Sequence, residues 1–371
     1  MSDGTVIPLN DLKRLPTPLA ESCREAARKA IDTAWYLLGP ETAAFEASWA
    51  LYVGVKHAVS CANGTDALEL MLNACSIGPA DEVILAPNAG FYGSVACMKT
   101  GATPVYADIE PDRPVLSLDA ARHAISKRTK AILITHLYGM TADAEGFAKL
   151  CEEHGLMLLE DCAQAHGASL PLASSGSRKA GATGHAASFS FYPTKNLGAF
   201  GDAGAVVTNH DAIASRLRQL RQYGWSERYV SSLPNGRNSR MDEVQAAVLR
   251  VMLPMLDERN EARRHVVKAY RKVLGDRIYD SAADGAVAHL AVARFEHRDV
   301  VARELTKKGI GHGIHYPVLD PAQPAISSIP HRVADDLSNA RAAVREIMTL
   351  PCFPDLTAEE ITTVVDALAA L

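Results

Sequence analysis

The stretch AILITHLYGMTADAEGFAKLCEEHGLMLL, residues 131–159, decides the fold class of this chain. It reads as an apolar strand (Ala131–Ile134), an amphipathic helix (Ala142–His154) and a second apolar strand (Leu156–Leu159). The same alternation extends upstream. A helix is predicted over Thr65–Cys75, a strand over Glu82–Ala86 that stops at Pro87, and a helical segment from there to Thr100. A strand over Pro104–Ala107 and a helix over Leu118–Ser126 follow. Apolar strands alternating with amphipathic helices predict an α/β architecture, with a large, mainly parallel sheet covered by helices on both faces. Ligands of such sheets bind beyond the carboxyl ends of the strands. Asp161 and Gln164 follow the strand 156–159 directly, so they fall at that edge.

Downstream the pattern changes. Residues 171–184 are a loop by composition. From Met241 a long helix carries apolar residues at Met241, Val244, Val248, Val251 and Met255, and Pro254 is expected to kink it. The domain boundary is placed at that kink, giving a large domain 1–253 and a smaller C-terminal α+β domain 254–371. The smaller domain carries strand-like Val287–Arg294, a helix 298–308, strand-like Ile310–Tyr316, and helices near 334–347 and 358–370.

Composition narrows the function classes. With 371 residues the chain can bury a large core, and a formal charge of −5 without a polybasic run argues against a nucleic-acid partner. The basic cluster Arg263, Arg264, His265, Lys268, Arg271, Lys272 has helical spacing and reads as a solvated helix face. No apolar run approaches the ~20 residues of a membrane span, and the start of the chain lacks the pattern of a secretory signal. Seven cysteines, an odd number with no C-x-x-C pair, point to reduced thiols and a cytoplasmic protein. Thirteen histidines show no metal-ligand spacing.

Lys195 is the lone cation between Lys179 and Arg216, in the apolar, Gly-rich segment Ser188–Asp202. A lysine there costs desolvation energy unless its ammonium is paired or has lost its proton, and a depressed pKa makes the amine a nucleophile toward carbonyls. Asn63-Gly64-Thr65 opens a helix, where free N–H groups and the dipole favour an anion, although Thr65 also reads as an ordinary cap. Asp161, just past a buried strand, could hold a ring nitrogen protonated. Gln164 could donate to a ring oxygen from the same side, and Ser190 lies five residues before Lys195. The polar run Gly236–Gln245 enters the long helix, with Asn238 and Ser239 as possible caps. A phosphate cradle, a carboxylate for a ring nitrogen and a reactive lysine together describe a pyridoxal 5′-phosphate (PLP) site.

Further segments carry a resemblance over nearly the whole chain. They are Ile7-Pro-Leu, Leu38-Gly-Pro-Glu-Thr-Ala-Ala-Phe-Glu46, His57-Ala-Val, His136-Leu-Tyr-Gly139, Tyr223-Gly-Trp-Ser-Glu-Arg-Tyr229, Ile314-His-Tyr-Pro317 and Leu350-Pro-Cys-Phe-Pro354. In this order they resemble the DegT/DnrJ/EryC1/StrS family of sugar aminotransferases, PLP-dependent enzymes of fold type I. The resemblance implies that Lys195 is the Schiff-base lysine and proton shuttle, and that Asp161 partners the pyridine nitrogen. By the same resemblance Gln164 donates to the ring 3-hydroxyl oxygen, and Gly64, Thr65 and Ser190 cradle the phosphate. Phe91 aligns with the aromatic stacked on the ring, with Tyr92 a close second. Asn238 matches the residue that reaches the phosphate of the neighbouring subunit, which implies a homodimer with sites at its interface. Tyr192, Tyr36, Arg228 and His315 are the candidate sugar-binding residues.

The resemblance further implies transamination with glutamate as donor, because the lysine replaced by histidine in dehydrating relatives is present. Trp35-Tyr36 and Gly224-Trp225 with Arg228-Tyr229 look more like the dTDP-3-keto-6-deoxyhexose branch than the 4-keto branch. A keto-cyclitol acceptor and a non-catalytic PLP-binding regulatory protein are the alternatives. Two departures bear on the substrate. Pro321 stands where the family usually has histidine, and the loop 171–184 differs from the usual compact form.

Overall fold

Eight strands form the large sheet of the computed structural model, which describes residues 6–171 and 176–371. In chain order the strands of the first half are β1 (His57–Cys61), β2 (Glu82–Leu85), β3 (Thr103–Tyr106), β4 (Thr129–Thr135) and β5 (Met157–Asp161). A two-stranded ribbon, β6 (Ser169–Pro171) with β7 (Ser177–Lys179), precedes β8 (Ala186–Ser190) and β9 (Gly204–Thr208). Later come the ribbon β10 (Trp225–Glu227) with β11 (Val230–Ser231), then β12 (Ala291–Arg294), β13 (Arg332–Val333) and β14 (Ile347–Leu350). The sheet order is β1-β9-β8-β5-β4-β2-β3-β13.

All its neighbours pair in parallel except β9, which runs antiparallel to both β1 and β8. The mainly parallel sheet expected from the sequence is present, with β9 as its one reversed strand. Because β9 is buried along its whole length, it looks in sequence like its parallel neighbours. The reversal has a use. Strand β8 need not cross over to reach β9, so the connection 191–203 stays at the carboxyl edge and carries Lys195 there.

Helices cover the sheet. Two of them, α1 (Thr17–Asp32) and α2 (Pro40–Val53), are not assigned by the sequence reading. Pro40 occupies the first turn of α2, where its missing N–H is no loss, and Phe45, Trp49 and Val53 are buried beneath it. The buried Glu243 caps this helix from a distance: its carboxylate accepts from the N–H groups of Gly39 (2.9 Å), Glu41 (2.8 Å) and Thr42 (2.9 Å). The predicted helices appear as α3 (Gly64–Ala74), α4 (Tyr92–Thr100), α5 (Leu118–Ala124) and α6 (Ala144–His154), followed by α7 (Asp211–Leu220).

The long helix is broken where Pro254 predicts. Helix α8 (Glu243–Met252) ends in a 3-10 turn at Leu253–Met255, and α9 (Leu256–Leu274) continues from it. The final helices are α10 (Arg298–Lys307), α11 (Ser338–Glu346) and α12 (Ala358–Ala369). Strand β12 pairs with β14 over a second core containing Val267, Tyr270, Leu305 and Leu368.

Several expectations need correction. The segment 310–316 is not a strand; it makes single bridges, Ile310 to Ile7 and Gly313 to Thr349. The loop 171–184 contains β7, and its residues 172–175 lie outside the described residues. The basic cluster on α9 is not wholly solvated. Arg263 is buried, its guanidinium donating to the carbonyls of Cys352 (2.8 Å) and His289 (3.3 Å). A single cut at residue 254 does not separate the two cores either. Ile7 packs in the second core, while Leu319, Ile326, Leu337 and Ala340 pack in the first, and β13 extends the large sheet beside β3.

Candidate active site

The carboxyl ends of the parallel strands converge on Lys195. Strand β1 leads into the start of α3, β2 into the loop before α4, β4 into His136, β5 into Asp161 and β8 into Ser190. The Lys195 loop is set rigidly. Ala199 N–H donates to Phe191 O and Lys195 N–H to Tyr192 O, both at 2.8 Å. A side chain at Gly198 would come within 2.4 Å of Pro193 O, so only glycine closes the turn.

Asn196 pins the backbone beside the lysine. Its amide nitrogen donates to Asn260 Oδ1 (2.8 Å) and Val287 O (2.9 Å), and its oxygen pairs with His289 Nδ1 (2.8 Å). Neither Asn196 nor His289 was singled out from sequence. A buried, fully partnered asparagine gives no periodic signal.

Two adjoining cavities of about 450 and 390 Å³ share Lys195, Tyr92 and Tyr192 in their walls. The first is lined also by Gly64, Thr65, Asp161 and Ser190, and the second by Gln164, His315 and Tyr316. Seven residues proposed from sequence are thereby brought together: Lys195, Asp161, Gly64, Thr65, Ser190, Gln164 and Tyr192. His315 joins them, its Nδ1 paired with Thr349 Oγ1 at 2.8 Å.

The electrostatics suit a cationic ring. Asp161 is buried, and its Oδ1 accepts from Ala163 N–H at 3.0 Å. Among the described residues its carboxylate has no ion-pair partner within bonding distance. Burial raises its pKa, opposed by the Ala163 N–H and the charge of Lys195. Burial also lowers the Lys195 pKa to about 8, with Asp161 pulling the other way. The amine is therefore neutral in a useful fraction near neutral pH.

Phosphate fits the mouth of α3. Asn63 caps this helix through Asp66 N–H (2.8 Å), which leaves the N–H groups of Gly64 and Thr65 at the first turn without helical acceptors. A Cβ on Gly64 would lie 2.4 Å from Ser190 Cβ, so the glycine exists to let the Ser190 hydroxyl and the helix start face one space. Gln164 is oriented by both ends of its amide. Oε1 accepts from Tyr138 N–H (2.7 Å), and Nε2 donates to Tyr316 Oη (3.2 Å).

Other expected residues do not reach the cavities of their own chain. Phe91 does not line them and packs against the main core, whereas Tyr92 lines both. Phe91 precedes α4 with a left-handed backbone (φ 73°), and it is Tyr92, the first residue of the helix, that stands in the cavity wall. Tyr36, Arg228 and Asn238 are exposed and also lie outside the lining residues. Arg228 packs over the Tyr229 ring, and Asn238 bridges to Gln222 between Arg237 and Ser239, both of which bind Asp66.

One titratable cluster beside the site is a structural hub. His136, Glu160 and Cys162 lie close together and buried. Glu160 already accepts from His136 Nε2 (2.9 Å) and from the N–H groups of Gly181 (2.9 Å), Thr183 (3.0 Å) and Gly184 (2.6 Å). Its oxygens are spent on shaping the turn before β8.

Comparison with known proteins agrees with this geometry. The family model described as the DegT/DnrJ/EryC1/StrS aminotransferase family matches residues 18–369. The chain is 40% identical over 367 residues to the dTDP-3-amino-3,4,6-trideoxy-alpha-D-glucose transaminase of Streptomyces venezuelae, covering 98% of this chain and 95% of that one. It is 40% identical over 377 residues to the erythromycin biosynthesis sensory transduction protein EryC1 of Saccharopolyspora erythraea, covering 98% and 99%. A crystal structure of S. venezuelae DesV in complex with a ketimine intermediate superimposes with a TM-score of 0.92 at 39% identity, over 98% of both chains. The chain belongs to the DegT/DnrJ/EryC1/StrS aminotransferase family.

Proposed function

We propose that this chain is a PLP-dependent aminotransferase that aminates the keto carbon of a nucleotide-linked deoxyhexose, with L-glutamate as amino donor. A dTDP-3-keto-6-deoxyhexose is the favoured acceptor. One observation carries the reading: a lysine of lowered pKa and a buried carboxylate line the same cavity as a glycine-opened helix start. The position of the amino group rests on the similarity to a relative named for a 3-amino sugar.

When bound, PLP supplies an electron sink that accepts the electrons of a Cα–H bond. The chain's own residues do the rest. The N–H groups of Gly64 and Thr65 and the Ser190 hydroxyl hold the phosphate dianion. Asp161 keeps the pyridine nitrogen protonated, because its buried charge is best met by a cationic partner. Gln164 Nε2 donates to the 3-hydroxyl oxygen, and the Tyr92 ring covers one face. Lys195 Nζ would be the amine that holds the cofactor. Its amine, held largely free of water and with a pKa lowered by burial, would serve as the general base that moves a proton beside the bound cofactor.

Tyr36, Arg228 and Asn238 take their roles in the neighbouring subunit of a homodimer. Support comes from their position outside their own cavity and from the exposed apolar residues around them, Trp35, Leu37, Tyr229 and Val230. The cytoplasm suits seven cysteines that are all buried and unpaired. No helix of the described residues is long and apolar enough to cross a membrane.

The test is an acceptor panel with glutamate, comparing dTDP-3-keto and dTDP-4-keto hexoses with a keto-cyclitol and resolving products by mass. Amination of the 3-keto sugar with release of 2-oxoglutarate is expected. Amine formation from the 4-keto sugar or the cyclitol alone moves the substrate assignment, and no amine from any acceptor refutes the activity.

A further inference from the structure

The segment that follows His315 and Tyr316 ends in a buried acid with no cation beside it. Asp320 has no exposed surface, and among the described residues no Lys, Arg or His lies within ion-pair distance of it. A carboxylate in such a place is costly unless its oxygens are fully used. They are used on one target. Oδ1 accepts from Phe91 N–H at 2.9 Å, and Oδ2 accepts from Ser94 Oγ at 2.6 Å. Ser94 Oγ is also 2.9 Å from Tyr106 Oη, and Asp320 N–H donates to Pro87 O at 2.7 Å. All these contacts lie in or around the loop between β2 and α4.

That loop has a backbone in need of a clamp. Gly90 and Phe91 are both left-handed, at φ 81° and 73°, and the second is a conformation that an aromatic residue rarely holds. The pair of left-handed residues turns the chain so that Tyr92 starts α4 with its ring in the cavity wall. Gly90 makes room for two rings: a Cβ there would come within 2.8 Å of the Tyr316 ring and 2.9 Å of the Tyr92 ring. Those rings meet edge to face at 6.1 Å, and Tyr316 Oη in turn accepts from Gln164. Asp320 thus touches the backbone one residue before Tyr92 and is four residues along the chain from Tyr316.

We propose that Asp320 is a positioning residue that sets the Tyr92 ring over the cofactor pocket by clamping Phe91 in its left-handed conformation. The inference rests on the reading of the cavity as a PLP site.

The experiment is a mutant cycle read by PLP dissociation constant and by the visible circular dichroism of bound PLP. Asp320→Ala removes both side-chain contacts and is expected to raise the PLP dissociation constant about tenfold and to weaken the dichroic band. Asp320→Asn still accepts from Phe91 N–H and can donate to Ser94 Oγ, so it is expected to stay within about threefold of wild type. In a Tyr92→Ala background, Asp320→Ala should change the dissociation constant less than about twofold, because the ring it positions is gone. If Asp320→Ala cannot be purified, Ser94→Ala breaks one contact and is expected to give a rise of about threefold in the same readings.

Unchanged affinity and dichroism in Asp320→Ala or Ser94→Ala overturn the inference, as does an undiminished effect in the Tyr92→Ala background. Wild-type protein that takes up no PLP defeats the cofactor reading and the inference together. Wild-type protein that binds PLP without this coupling defeats the inference alone.

Discussion

Gly64→Ala should weaken cofactor binding through a single added methyl group. The new Cβ would lie 2.4 Å from Ser190 Cβ, 2.9 Å from Ser190 Oγ and 3.1 Å from Ser190 Cα. Carbon atoms pack at about 3.5–4.0 Å, so the closest pair overlaps by roughly an ångström. The backbone of Gly64 is outside the left-handed region, and alanine itself fits its φ, which isolates the steric effect. Relief requires Ser190 to move away from the helix start or α3 to shift outward, and either motion opens the phosphate cradle. Overpacking of this kind costs about 1–3 kcal/mol. If it falls on the bound geometry, the PLP dissociation constant rises about 5- to 150-fold. The assay is titration of cofactor-free protein with PLP, followed by the visible absorption band. Adding Ser190→Gly removes the two atoms that the methyl strikes hardest, Cβ and Oγ, so the double variant should regain thermal stability while still lacking the hydroxyl. A folded Gly64→Ala protein that binds PLP within twofold of wild type refutes the reasoning.

Two other outcomes follow from the same geometry. In cofactor-free protein, the rate at which an amine-selective reagent modifies Lys195 should rise through pH about 8 rather than near the ordinary lysine value of 10.5, since burial disfavours the ammonium. Asp161→Asn removes the charge that opposes this shift, so the midpoint should fall further; peptide mass spectrometry reads both, and an ordinary lysine midpoint contradicts the burial argument. Glu243→Gln keeps the shape of the α2 cap but loses its charge and one acceptor, so unfolding by denaturant should show a loss of about 2 kcal/mol. A change below about 0.5 kcal/mol would mean that the N–H groups of Gly39, Glu41 and Thr42 find other partners.

The parts of the fold visible in the sequence were those with a strong period. Strands β2 to β5 and helices α3 to α6 lie within a few residues of their expected places, because apolar runs and amphipathic faces leave an imprint on residue order. Strand direction leaves none, which is why β9 could not be told from its parallel neighbours. The segment 310–316 has strand-like composition but makes only isolated bridges, Ile310 to Ile7 and Gly313 to Thr349, so no ladder forms along it.

In the site, Lys195, Asp161, Gln164 and Ser190, which meet in the cavity walls, were legible through residue type and position after strands. Which of Phe91 and Tyr92 faces the cavity was not, since it follows from a left-handed turn whose Phe91 N–H donates to Asp320, some 230 residues away in the chain. Arg263 misleads for a related reason. A helix wheel shows which residues share a face, not that two backbone carbonyls from distant parts of the chain meet one of them.

The most direct test of the cofactor account is reduction of the purified protein with borohydride, followed by peptide mapping by mass spectrometry. The account predicts a yellow protein whose visible band is lost on reduction, with the phosphopyridoxyl mass fixed on the peptide carrying Lys195. Reductive labelling of another lysine, or a reducible adduct that survives Lys195→Ala, would contradict it.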